Sequence, residues 1–190
     1  MITQCKVTDD LFSYIKENIN NYGKSHNTEL AGNIKNEYSF MNHQEKISSW
    51  LLPIISQQDS LRVLYDEMRK KFHPEPNKIF IHDMWINFMK EYEFNPIHVH
   101  YGFLSFIIFV KIPYTCEEQQ KISPGKNSNN AAAGKLEFIT QLNITELLPV
   151  DRSWEQLCLI FPSSLMHCVY PFYGVKEERI TIAGNIKFML

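Results

Sequence analysis

Residues 79–112 read IFIHDMWINFMKEYEFNPIHVHYGFLSFIIFVKI. Short runs rich in Ile, Phe and Val are separated by Asn95-Pro96 and Tyr101-Gly102, and β-branched and aromatic residues in bounded runs are the pattern of strands. Strands are expected over Ile79–Phe88, Pro96–His100 and Leu104–Ile112. Downstream the same character continues, predicting strands over Gly134–Gln141, Leu157–Phe161, His167–Phe172 and Arg179–Phe188. The second half therefore reads as a β sandwich or small barrel.

Upstream the periodicity is helical. Thr8, Asp9 and Asp10 suit a helix N-terminus, where oxygen and negative charge meet unpaired amides. Phe12, Ile15, Ile19 and Tyr22 then recur at helical spacing, with Gly23 as the expected end. Asp59 or Ser60 is expected to cap a later helix whose apolar face is Leu61, Leu64, Tyr65, Met68 and Phe72, stopped by Pro74. Between them Ile47–Ser56 reads as helix interrupted by Pro53. Helices followed by strands predict an α+β, mainly β chain with the helices packed on the β core. The segment Glu117–Ala133 is polar, contains Pro124 and Gly125, and is expected to be a long mobile loop.

The chain has 190 residues, 44% of them hydrophobic, enough for one substantial core. A single domain is expected, with residues 1–76 as its helical part and 77–190 as its β part. Nineteen Lys and Arg against 21 Asp and Glu leave no basic excess, so general nucleic-acid binding is not suggested. No stretch approaches the roughly 18 apolar residues of a membrane span, and the opening residues lack the apolar run of a signal peptide. Cys5, Cys116, Cys158 and Cys168 are scattered and form no C-x-x-C pair. Reduced thiols in a cytoplasmic protein are the expectation.

Three features of the strand region carry chemistry. His98 and His100 stand at i and i+2, which strand alternation puts on one face. His167 follows the turn Phe161-Pro162-Ser163-Ser164-Leu165-Met166, between two apolar runs. Two imidazoles from one strand and one from a distant strand can hold one face of a metal while leaving positions open. Arg179 and Thr181 alternate onto one strand face twelve residues after His167. A forked guanidinium beside a hydroxyl is a carboxylate clamp. Each feature also has a plainer reading: hydrogen-bonding imidazoles at strand ends, and a surface Arg paired with Glu177 or Glu178.

The order His-x-His, distal His, then Arg-x-Thr resembles the signature of the 2-oxoglutarate and Fe(II) dependent oxygenases. Trp85-Ile86-Asn87-Phe88, Glu93 to His100, Phe161 to His167 and Arg179 to Asn185 look most like hydroxylases encoded by marine phages and marine bacteria, over roughly residues 77–190. The resemblance implies a double-stranded β-helix (a cupin-like jelly roll) with Fe(II) held by His98, His100 and His167. It also implies 2-oxoglutarate held at its C5 carboxylate by Arg179 and Thr181, molecular oxygen as co-reactant, and hydroxylation of a substrate the sequence does not identify. Most of these enzymes carry Asp or Glu where this chain has His100. His100 is therefore either a ligand or a bystander to a carboxylate from elsewhere, with Glu137 as the first to consider.

By alternation Trp85, Asn87, Ser105 and Asn185 are candidates to line the cavity, with Tyr101 and Tyr114 flanking its mouth. Phe103, Phe106, Phe109, Phe138 and Phe188 are assigned to the core, and Cys168 to the face opposite His167. His26, His43, His73 and His82 are given no role. Two other functions compete: a cupin-type three-His dioxygenase that does not use 2-oxoglutarate, and a jelly-roll binding module without catalysis.

Overall fold

A computed structural model describes residues 2–71, 78–129, 131–140 and 144–189. In chain order the elements are β1 (Thr3–Lys6), α1 (Asp9–Asn18), β2 (Glu37–Ser39), α2 (Gln44–Gln57), α3 (Asp59–Arg69), β3 (Ile79–Met89), β4 (Asn95–His98) and β5 (Leu104–Lys111). They continue with α4 (Cys116–Ile122), β6 (Leu136–Ile139), β7 (Thr145–Leu148), β8 (Leu157–Pro162), β9 (Met166–Val169) and β10 (Arg179–Phe188). The strands form two antiparallel sheets, one ordered β1-β8-β5-β10-β3-β2 and the other β4-β9-β6-β7. Among the described residues, no helix is long and apolar enough to cross a membrane.

Side-chain alternation divides the large sheet into two working faces. Met84, Ile86 and Phe88 of β3, Phe106 and Ile108 of β5, and Ile180 and Ile182 of β10 join a core with Leu11, Ile15, Ile47, Leu51 and Leu61 of the helices. The intervening residues, Phe109, Leu159 and Phe161, instead meet Leu136, Phe138 and Val169 of the small sheet. At the Trp85, Asn87, Arg179 and Thr181 positions that second face becomes polar and lines a cavity. Rows of fully buried aliphatic and aromatic side chains, each stabilising by about 1.5–3 kcal/mol, flank a polar patch that contributes nothing comparable. A polar patch kept at such cost in a core wall marks a site.

The strand expectations over Ile79–Phe88, Leu104–Ile112, Leu157–Phe161 and Arg179–Phe188 match β3, β5, β8 and β10 closely. Strand β4 ends at His98, so His100 lies beyond it. Strands β1, β2 and β7 were not expected. They are three or four residues long and owe their form to their partners, as when Thr3–Lys6 pairs with Leu157–Ile160.

The helices differ in detail. Thr8 is extended but makes no side-chain cap, and α1 ends at Asn18, leaving Tyr22 to stack on Tyr38 at 4.1 Å. Gln58 precedes α3 and Asp59 is its first residue. Helix α2 starts at Gln44 and continues through Pro53. Phe72, His73, Pro74 and Gln141 lie outside the described residues. The expected loop over Glu117–Ala133 is corrected, because α4 occupies its first part. Thr115 Oγ1 accepts from Glu118 N (3.1 Å) while the Glu118 carboxylate accepts from Thr115 N (2.7 Å), a reciprocal cap, and Lys121 reaches Glu117 at 2.6 Å.

Candidate metal centre

His98 and His167 are register partners across β4 and β9, so their side chains rise on the same face. His100 joins them from just beyond β4, where its backbone N–H donates to Ser163 O at 2.8 Å. Ring centroids lie 4.3 Å apart for His98 and His167, 4.8 Å for His98 and His100, and 5.1 Å for His100 and His167. One ligating atom from each of the three lies within 4.8 Å of the others.

Backbone carbonyls fix two of the tautomers. His98 Nδ1 is 2.7 Å from Pro96 O and His167 Nδ1 is 2.9 Å from Leu165 O. A carbonyl accepts only, so each Nδ1 carries the proton and each Nε2 keeps its lone pair for a metal. Burial lowers the His98 pKa, against a weaker pull from the Pro96 carbonyl. Burial first, then the neighbouring imidazoles, pushes His100 down to about 3 and His167 to about 4. All three are held neutral, the form in which imidazole ligates.

Glu137 does not complete the set. Its register partner on β9 is Cys168, whereas His167 is opposite Phe138, so Glu137 stands on the other face. There its carboxylate accepts from Tyr170 Oη at 2.6 Å and from Cys168 Sγ at 3.7 Å. Cys168 faces away from the imidazoles as alternation requires.

Arg179 is 3% exposed and sits across the cavity from the histidines. Its Nη1 donates to Tyr114 Oη (3.1 Å) and to Gly134 O (3.0 Å), which also accepts from Tyr114 Oη at 2.9 Å. Both Nη1 protons are thereby engaged, while among the described residues Nη2 and Nε have no such tether. The surface pairing with Glu178 does not occur; that carboxylate lies 3.8 Å from Lys90 Nζ. Gly134 is left-handed, with φ +73°, and a Cβ there would stand 2.7 Å from the Tyr114 ring, so glycine is needed to deliver this carbonyl. Thr181 is buried beside Arg179, and its Oγ1 accepts from Asn87 Nδ2 at 3.1 Å, leaving its own proton free to donate.

Trp85, Asn87 and Ser105 line the cavity as expected, but Asn185 does not; it bonds Ser105 Oγ at 2.8 Å. Tyr101 is 88% exposed. Tyr114 is corrected from the mouth to the interior, fully buried behind Arg179, because the chain leaves β5 at Lys111 and alternation no longer places it. Met89, Asn95 and Ile34 also line the cavity. Met89 was readable by extending the alternation of Trp85 and Asn87; Ile34, in irregular chain, carried no signal.

The model of a 2OG-Fe(II) oxygenase family matches residues 83–185. The chain belongs to that family. The match spans His98, His100, His167, Arg179 and Thr181, and 2OG-Fe(II) oxygenases use Fe(II) and 2-oxoglutarate. The donor set suits Fe(II), three neutral imidazoles with converging lone pairs. No curated protein matches by sequence. Among solved structures, a Pseudomonas putida prolyl-4-hydroxylase is similar with TM-score 0.57 and 11% identity, over 99% of this chain and 92% of that one. A Trichoplax adhaerens prolyl hydroxylase, in complex with a hypoxia inducible factor peptide, gives 0.56 and 10%, over 99% and 83%. The viral collagen prolyl hydroxylase of Paramecium Bursaria Chlorella virus-1 gives 0.51 and 11%, over 99% and 96%. At such identities the likeness shows a shared fold and carries no substrate across.

Proposed function

We propose that this oxygenase is a hydroxylase on a jelly-roll fold, with residues 1–190 as a single domain. In this reading His98, His100 and His167 hold Fe(II), and Arg179 with Thr181 holds the C5 carboxylate of 2-oxoglutarate. The observation that carries it is one cavity with three converging neutral imidazoles on one wall and a buried guanidinium with untethered donors on the other. The pairing of β1 with β8, and of the helices with the large sheet, supports one domain. Four unpaired cysteines support a reducing compartment, the cytoplasm.

Each residue has a task set by its surroundings. His98 and His167 present Nε2 because Pro96 and Leu165 hold their Nδ1 protons. Tyr114 and Gly134 fix one arm of Arg179, so the rest of the fork is presented to a carboxylate without first being ordered. Asn87 turns the Thr181 proton toward the cavity. Apolar walls at Phe161, Val169 and Met89 exclude water. Bound Fe(II) supplies the redox chemistry that couples decarboxylation of 2-oxoglutarate to oxidation of a substrate C–H bond.

Anaerobically, Fe(II) and 2-oxoglutarate together should raise the melting temperature more than either alone, and admitting oxygen should give succinate. Iron binding without any 2-oxoglutarate shift or succinate would favour the cupin-type dioxygenase instead.

A further inference from the structure

The cavity wall carries polar atoms that the roles above leave unused. Glu37, Asn87 and Thr181 are register partners across β2, β3 and β10 and stand on one face of the large sheet. Asn87 spends its Nδ2 on Thr181, and its Oδ1, buried in a side chain only 5% exposed on the cavity wall, has no partner among the described residues. Asn95 lines the cavity from β4, and among the described residues its buried Oδ1 also has no partner.

Beside these amides, outside the cavity lining, lies the Glu37 carboxylate, 1% exposed. It receives one long bond, 3.4 Å from Asn27 Nδ2, an amide already engaged by Ile34 O at 2.7 Å and Lys35 O at 3.2 Å. Nearby Glu93, by contrast, is supplied by the backbone N–H groups of Lys35 (3.0 Å) and Lys90 (2.7 Å). Glu37 and Asn95 converge on one point, since a Cβ on Gly32 would press on Asn95 Oδ1 and lie 3.0 Å from Glu37 Oε1. Among the described residues no Lys or Arg pairs with Glu37, and burial followed by repulsion from Glu93 pushes its pKa up to about 7.

Buried acceptors without donors are costly, and two of them beside a buried carboxylate held by one long bond are rare in a native protein. The ligand that supplies the donors would be opposite in polarity to the one that answers Arg179 and Thr181, so the cavity is built for two different ligands. We propose that this wall binds the substrate, and that the substrate carries a cationic nitrogen, an alkylammonium or guanidinium group. That group donates to Asn87 Oδ1 and Asn95 Oδ1 while the Glu37 carboxylate balances its charge. The inference rests on reading the cavity as the oxygenase site, and it adds the chemical class of the substrate.

The test uses n-butylammonium and n-butylguanidinium as probes and butyramide as their neutral counterpart. Affinities come from the rise in melting temperature with probe concentration, anaerobically, with Fe(II) and 2-oxoglutarate present. The cations should bind at least tenfold more tightly than butyramide, and Glu37→Gln, which keeps the shape, should bring the two within about twofold. Asn95→Ala gives the same comparison should the first variant not fold. Equal binding of cations and amide by the native protein would overturn the proposal, since the acceptors are then served by water. A cation preference that survives both substitutions would overturn it too, because the probe is then held elsewhere. The 2-oxoglutarate shift recorded in the same samples separates the two levels. If that shift is normal and the preference missing, the substrate inference alone fails; if the preference is present without the shift, the oxygenase reading fails.

Discussion

Replacing Arg179 by Lys keeps the charge and removes the fork. Arg179 has five N–H donors, of which the two on Nη1 are committed to Tyr114 Oη and Gly134 O, leaving three for a ligand. A lysine ammonium has three donors in all. If it satisfies the same two buried acceptors, one remains; if it turns to the ligand, Tyr114 Oη loses its donor and Gly134 O keeps only the Tyr114 hydroxyl. Either way about one charge-assisted hydrogen bond to the dicarboxylate is lost, or its equivalent in unsatisfied oxygens, and each is worth roughly 1.5–3 kcal/mol. At 1.4 kcal/mol per tenfold, 2-oxoglutarate affinity should fall about tenfold to hundredfold. Anaerobic isothermal titration with Fe(II) present measures this, and iron affinity should be unchanged because the imidazoles stand on the opposite wall. Unaltered 2-oxoglutarate binding in a folded Arg179→Lys protein would refute the clamp and the donor count behind it.

Two further outcomes follow from the histidines. His100→Ala should weaken Fe(II) binding strongly, as should His98→Ala, while His100→Asp should retain iron by supplying a carboxylate; intact affinity in His100→Ala would make His100 a bystander. In the metal-free protein, the folded chain resists protonating His100 until about pH 3 and His167 until about pH 4, whereas unfolded histidine titrates near 6.5. Between those values the unfolded state binds more protons, so stability is full above about pH 6.5 and declines as pH falls toward 4. At about 1.36 kcal/mol per unit the decline should reach roughly 3 kcal/mol or more, read from urea midpoints across pH, and His100→Ala should make it shallower, leaving the His167 contribution.

The parts of the fold legible in the sequence are those where each residue's neighbours are its own strand or helix. Strand β10 was readable from Arg179 to Phe188 because ten alternating residues carry their own signal, and Arg179 with Thr181 came with it. Strands β1, β2 and β7 have too few residues for a period, and their structure comes from pairing with chain far away. Helix α4 was missed although Thr115-x-x-Glu118 advertises its cap, because the polar run beyond it reads as loop. His100 is not aimed by strand alternation, since β4 ends at His98; a backbone bond to Ser163 holds it instead. The acceptor wall was illegible for the same reason as β2, since Glu37 opens a strand of three residues and meets Asn95 only through the fold.

Glu37 has an evolutionary consequence. The matched region, 83–185, contains the imidazoles, Arg179, Thr181, Asn87 and Asn95, but Glu37 and Ile34 lie outside it, upstream of β3. A mutation around Glu37 or in the irregular chain leading to it touches neither His98, His100 and His167 nor the bonds that hold Arg179. Descendants of one ancestor can therefore exchange one substrate for another by changing a short edge strand and its approach, and keep the oxidative machinery without repair.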